Sequence, residues 1–310
     1  MPPRSLLLTL DAFNTIFHPR VPVPEQYAST AHAFGLPPSI ITPESLQPAF
    51  KAAYKAHSKE YPNYGRELAL RGQYGGPRQW WEEVIRGSFA RVLQTTGDSS
   101  KSRYADLPDG LLQRLLDRFA SQEGYNLYPD VGDFMARMRD VKTRLALQQE
   151  QTFGPFERVV VGVLSNSDDR IPAILKSLGL SVGDVRADQG VSSMRLPGFE
   201  ERTTPSNEVA QAQIYDLDLV ITSYDAGEEK PSRVIFDVAK RQALRMSGRT
   251  QDESNWVCVH VGDDYAKDYQ AAIDAGWGSY YITREEAPKD QDVEMVHSLT
   301  DLFGILESYK

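Results

Sequence analysis

Five short apolar runs, at residues 6–10, 159–164, 219–222, 257–261 and 279–282, constrain this chain more than any other feature. Each is shorter than an ordinary helix, is mostly apolar, and stops at polar or small residues. Helical patterns follow most of them. Apolar runs of this length suit strands buried on both faces, and strands alternating with helices build a parallel sheet covered on each side. The expected fold class is α/β, a doubly wound parallel sheet of Rossmann-like type. Ligands bind such sheets in the crevice at the carboxyl ends of the strands. The residues just after each run are therefore the first place to look for chemistry.

The interval between the first two runs reads differently. Leu46, Phe50, Ala53, Tyr54 and His57 share one helical face; Trp81, Val84, Ile85, Phe89, Val92 and Leu93 share another; Leu112, Leu115, Leu116 and Phe119 share a third. This predicts a separate α-helical module over residues 20–127, inserted into a core domain made of residues 1–19 and 128–310. Prolines at Pro19, Pro22, Pro24 and Pro129 mark the two junctions. Residues 142–158 and 182–212 read as loosely structured, the second as a surface insertion.

The first run ends Thr9-Leu10-Asp11, with Thr15 four residues on. A carboxylate at a strand tip can act as a covalent nucleophile, and Thr15 can hold the loop or the aspartate. Read alone, an aspartate after a strand is usually a turn residue or a helix cap. The second run ends at Ser165-Asn166, a hydroxyl and an amide able to donate to phosphate oxygens; alone, Ser165 reads as the cap of the next helix. After the third comes Lys230-Pro231, a cation followed by a residue suited to the first position of a helix. The fourth ends Gly262-Asp263-Asp264, with Asp268 close behind. Clustered carboxylates beside a glycine turn can bind Mg²⁺ through oxygen, and repel one another without a cation; the competing reading is an acidic helix start.

These four signals fall in order, each at the end of its own run, and in that order they resemble the four motifs of the haloacid dehalogenase superfamily. The likeness continues through Pro62-Asn63-Tyr64-Gly65 and Arg78-Gln79-Trp80-Trp81 in the helical interval, through Asp168 and Arg170, and through Asp268-Tyr269-Gln270. It covers most of the chain and lapses over about 182–212. It implies a mobile cap over a hydrolase core. It also implies an aspartyl-phosphate formed on Asp11, with Thr15, Ser165 and Lys230 as catalytic residues and Ser165, Asn166 and Lys230 around the phosphoryl group. Mg²⁺ would be held by Asp11, the backbone carbonyl of Phe13, Asp263 and Asp268.

The chain departs from the superfamily's pattern at Phe13. The active phosphatases of that superfamily place there a second aspartate, which protonates the leaving group and then activates water. General acid–base help of this kind contributes roughly 10²–10⁴ in rate. A phenyl ring supplies none, which favours acyl, aryl or enol phosphates, whose leaving groups depart without a proton. Asp11-Ala12-Phe13 also resembles the first motif of 2-haloacid dehalogenases, which need no metal; Asp263 and Asp268 argue against that chemistry. Three readings follow: an Mg²⁺-dependent phosphatase of a small phosphorylated metabolite, a catalytically weakened binding protein on the same fold, and a dehalogenase.

Of the 310 residues, 34 are basic and 43 acidic, for a net charge of -9. That balance gives no electrostatic reason to bind nucleic acid or an anionic membrane, and the short cluster at Lys101 and Arg103 reads as a solvated loop. No segment reaches the ~20 apolar residues of a membrane helix. The single cysteine, Cys258, reads as a buried core thiol and the five histidines make no zinc spacing. The expectation is a cytoplasmic protein, a monomer or weak homodimer.

Overall fold

The computed structural model describes residues 4–94, 107–187, 196–200, 213–247, 255–284 and 293–309. Its elements are β1 (Arg4–Leu10), β2 (Phe17–Pro19), α1 (Val23–Ala33), α2 (Pro43–Glu60), α3 (Pro62–Leu70), α4 (Gly76–Gln94), α5 (Leu111–Arg118) and β3 (Tyr125–Leu127). These are followed by α6 (Val131–Ala146), β4 (Phe156–Ser165), α7 (Ile171–Ser177), β5 (Val182–Val185), β6 (Leu217–Thr222), α8 (Ser223–Ala226) and α9 (Arg233–Met246). The chain closes with β7 (Trp256–Gly262), α10 (Ala271–Asp274), β8 (Gly278–Ile282), β9 (Met295–Val296) and α11 (Leu302–Glu307).

Seven strands form one sheet in the order β5-β6-β4-β1-β7-β8-β9, and every pairing in it is parallel. The five apolar runs are five of these strands. Alternation along β1 explains why they are apolar throughout: Leu6, Leu8 and Leu10 enter the hydrophobic core on one face, and Leu7 enters the core on the other. The chain leaves β1 toward β4 on one side and returns to β7 on the other. The crevice at the carboxyl end of β1 is therefore the switch point of the sheet.

Two expectations need correction. Residues 142–158 are not loose throughout: Lys142 lies in α6, and β4 begins at Phe156. Lys142 is polar because its ammonium donates to Asp218 at 2.7 Å and to the Tyr215 carbonyl at 2.6 Å. The stretch 182–212 opens with a strand, β5, too short to show an apolar run; residues 188–195 and 201–212 of it lie outside the described residues, as do Lys101 and Arg103. Sequence periodicity also missed β9 and the antiparallel pair β2–β3. That two-stranded ribbon brackets helices α1 to α5. Among the described residues no helix is long and apolar enough to cross a membrane.

Candidate active site

Asp11 follows β1 directly, and its backbone N–H donates to the Val261 carbonyl at 2.8 Å, extending the pairing with β7 by one residue. This brings Asp11 beside the end of β7, where Asp263 follows Gly262. A π-helical turn, Tyr265–Gln270, then swings Asp268 back against the strand end. Gly262 is required for that approach: a Cβ there would lie 2.3 Å from the Asp268 carboxyl carbon. Carboxylate oxygens of Asp11, Asp263 and Asp268 all come within 4.8 Å of one another. Thr15 is fully buried, with its hydroxyl 3.5 Å from Asp263 Oδ1. Asp264 alone fits the acidic-helix-start reading, accepting the Ala266 and Lys267 N–H groups at 3.0 and 2.9 Å.

Lys230 enters from the far side of β4. Its Nζ donates to Asp11 Oδ1 at 2.7 Å, to Asp268 Oδ1 at 2.6 Å and to the Leu164 carbonyl at 2.9 Å. An ammonium has three protons, and all three are used. Lys230 therefore neutralises Asp11 and Asp268, with its three protons all directed at protein oxygens. Pro231 does not open a helix either; α9 starts at Arg233 and Ser232 caps it, accepting the Val234 N–H at 3.2 Å.

The side chain of Asn166 also has a different role from the one expected. Its Oδ1 accepts the Lys230 backbone N–H at 2.6 Å and its Nδ2 donates to the Lys230 carbonyl at 2.8 Å. The amide thus clamps the backbone that carries the lysine. Ser165 lines the same pocket and does not cap a helix, since α7 begins at Ile171.

Burial and charge act against each other here. Burial is the largest influence on Asp11; it outweighs Lys230 and, with Asp268 adding repulsion, pushes the carboxyl up to about 7. Asp263 is raised to about 6 by burial and by Asp268. Burial also opposes ionisation of Asp268, but Lys230 and His260 overcome it and hold this carboxyl well below the usual range. Three carboxylates and one buried ammonium leave an excess of negative charge, and hard oxygen donors are what Mg²⁺ takes. The residues present fit such an ion.

His260 was not predicted. It is fully buried, and burial lowers its pKa. Its Nε2 lies 3.2 Å from Asp268 Oδ1 and its Nδ1 2.9 Å from the Thr9 hydroxyl, so the ring links β1 to the acidic cluster. Arg284 is a second missed residue. It donates to the Thr15 carbonyl at 2.6 Å and to Asp130 at 2.8 Å, tying the loop after β1 to the chain just past β3. Neither has a sequence signal of its own, because a buried histidine and a distant arginine look like ordinary core and surface residues.

Phe13 lies between two spaces. One is the Asp11 pocket, about 210 Å³. The other is an apolar cavity of about 180 Å³ beneath the helices, walled by Trp81, Ile85, Leu115 and Tyr125 among others. The ring packs edge-on against Phe17 and Tyr125, at centroid distances of 4.8 and 5.7 Å. Arg170 pairs with Asp168 at 2.8 Å and stacks over Trp81, and Trp81 Nε1 donates to the same carboxylate at 2.7 Å. Arg170 is thus a structural ion pair, and Trp80 is buried among the helices at 1% exposure. Cys258 is buried and free, and burial pushes its thiol up to about 12.

No family model matches the chain. It is 28% identical over 285 residues to haloacid dehalogenase-like hydrolase domain-containing protein 3 of Xenopus laevis, covering 92% of this chain and 87% of that protein. It is 27% identical over 314 residues to the protein of the same name from Homo sapiens, covering 97% and 94%. Over most of its length the chain is similar in sequence to haloacid dehalogenase-like hydrolases. The solved structure of 2-haloacid dehalogenase from Pseudomonas syringae pv. Tomato shares the fold, with a TM-score of 0.50, 15% identity and coverage of 98% of this chain and 99% of that one.

Proposed function

We propose that this chain is an Mg²⁺-dependent phosphohydrolase that forms an aspartyl-phosphate on Asp11, acting on a small phosphorylated metabolite. The observation that carries the reading is the convergence of Asp11, Asp263 and Asp268 around a lysine with no free proton. A site built to expel halide by carboxylate attack has no use for two further carboxylates, whereas phosphoryl transfer needs a cation that they can hold. Asp11, Asp263, Asp268 and the Phe13 carbonyl would hold Mg²⁺, which supplies charge neutralisation for the transferred group. Asp11 attacks phosphorus, kept in place by Lys230. Lys230 is itself held by the Asn166 clamp, and His260 orients Asp268. Ser165, which lines the same pocket, would donate its hydroxyl to the phosphoryl oxygens.

Phe13 favours a second reading, a binding protein on a weakened site, and one experiment separates the two. Acetyl phosphate needs no proton on its leaving group. Mg²⁺-dependent turnover of it that Asp11→Asn abolishes is expected. Phe13→Asp, which restores an acid, should raise turnover of alkyl phosphates by roughly 10²–10⁴. Turnover that survives Asp11→Asn refutes the nucleophile; silence of the native protein on acetyl phosphate favours the binding reading.

A further inference from the structure

A larger cavity adjoins the pocket around Asp11. This second space, about 440 Å³, is lined by Tyr54, Tyr61, Tyr64 and Trp80 from the helical segment and by Glu229, and it shares Asn166 and Lys267 with the Asp11 pocket. Its wall is held in an unusual shape. Asn63, Tyr64 and Gly65 are consecutive residues in the left-handed region, at φ 46°, 59° and 70°, a conformation that non-glycine residues adopt only when their surroundings enforce it. The enforcing contacts cross to the core. Asn63 Nδ2 donates to the Ser223 and Gly227 carbonyls at 2.9 and 3.2 Å, and Arg66 donates to the Tyr224 carbonyl at 2.7 Å. Strain that is held so firmly places Tyr64 on the cavity wall.

Lys267 is the other unusual feature. The Asp11 pocket contains two cations, Lys230 and Lys267. Lys230 has every proton committed. The Lys267 side chain is 55% exposed, and its ammonium lies 3.7 Å from Asp264 Oδ2, too far for a hydrogen bond. Its protons are available at the junction of the two spaces.

We infer that the second cavity is the leaving-group site for an aromatic phosphate monoester, and that Lys267 is the cation that receives the departing phenolate. The inference rests on the phosphatase reading and gives it a substrate class. The accessible rings of Tyr54 and Tyr61, backed by the buried Tyr64 and Trp80, offer a ring stacking and edge contacts that an alkyl or acyl group cannot use fully. Phe13 cannot protonate a leaving oxygen, and a phenolate does not need it to. In the first step the Asp11 carboxylate forms a bond to phosphorus and the bond from phosphorus to the aryl oxygen breaks. That electron pair stays on the oxygen, which accepts a charge-assisted hydrogen bond from Lys267. In the second step water attacks phosphorus, the bond to Asp11 breaks, and both water protons leave with the phosphate as dihydrogen phosphate. No protein acid is consumed.

The test uses the full chain with Mg²⁺. Benzylphosphonate and methylphosphonate are compared as inhibitors of acetyl phosphate hydrolysis and, by calorimetry, as ligands. The benzyl compound is expected to bind at least about tenfold more tightly, and Tyr54→Ala to lose about three- to tenfold of that preference. A series of substituted phenyl phosphates is then measured with Lys267→Met and Lys267→Arg, both at an exposed position where folding is not at risk. Lys267→Met should slow the esters of the least acidic phenols by about tenfold or more and barely affect 2,4-dinitrophenyl phosphate, so the rate depends more steeply on phenol acidity; Lys267→Arg should restore the slope. Equal binding of the two phosphonates, or uniform slowing of all phenyl esters in Lys267→Met, overturns the inference while acetyl phosphate turnover leaves the phosphatase reading standing. Turnover of no phosphate at all overturns both.

Discussion

Lys230 is the point at which stability and chemistry of this site meet, and replacing it with methionine tests the account most directly. Methionine keeps the length and apolar stem of the side chain but removes the ammonium that lies 2.7 Å from Asp11 and 2.6 Å from Asp268. Both carboxylates are buried, at 8% and 2% exposure. Removing one partner of a buried ion pair typically costs about 3–5 kcal/mol, because the charge left behind is uncompensated. Lys230→Met is therefore expected to lose about 3–5 kcal/mol in EDTA at pH 7.5, read as a lower urea midpoint with an unchanged slope. Asp11→Asn in the same protein removes one of the two stranded charges. The double variant should recover about 1–3 kcal/mol relative to the sum of the single changes, a coupling typical of groups in one network. Four urea curves decide the matter: native, each single variant and the double. If the effects add to within about 0.5 kcal/mol, the ammonium and the Asp11 carboxylate do not stabilise one another and the electrostatic account of the site is wrong.

Two further outcomes are expected. Gly65→Ala places a Cβ 2.4 Å from the Tyr74 ring at φ +70°, whereas Gly35→Ala has the same positive φ, +85°, and open space. Thermal denaturation should show a loss of about 2–4 kcal/mol at Gly65, from strain and overlap together, against about 1 at Gly35 from strain alone; equal losses would remove the steric argument for the turn. Asp169 concerns pH. Burial, then Asp168, raises its carboxyl to about 7, although Oδ2 accepts the Phe199 and Glu200 N–H groups. Between its ordinary value near 4 and 7 the folded protein keeps a proton that the unfolded chain has released. Stability from this group is therefore present in acid and lost as pH rises through that window, by at most about 4 kcal/mol. Asp169→Asn should narrow the difference in urea midpoint between pH 5 and pH 7.5; an unchanged difference would show that Asp169 ionises normally.

Much of the architecture was legible in the chain itself. Strands covered on both faces must be apolar at nearly every position, so β1, β4, β6, β7 and β8 announced themselves, and the acids, hydroxyl and lysine after four of them marked where a crevice would lie. The short strands β5 and β9 and the β2–β3 ribbon were silent, because two to four residues cannot display a period. The partners were silent for a different reason. Lys230 meets Asp11 across 219 residues of chain and Asn166 across 64, so only the folded sheet could reveal that the lysine's protons are spent, that the Asn166 amide serves Lys230, and that His260 completes the network. Local pattern records how much water each residue will see, since burial acts on every residue singly. Which atom saturates which donor depends on strand order and register, and these are settled only when the whole sheet assembles.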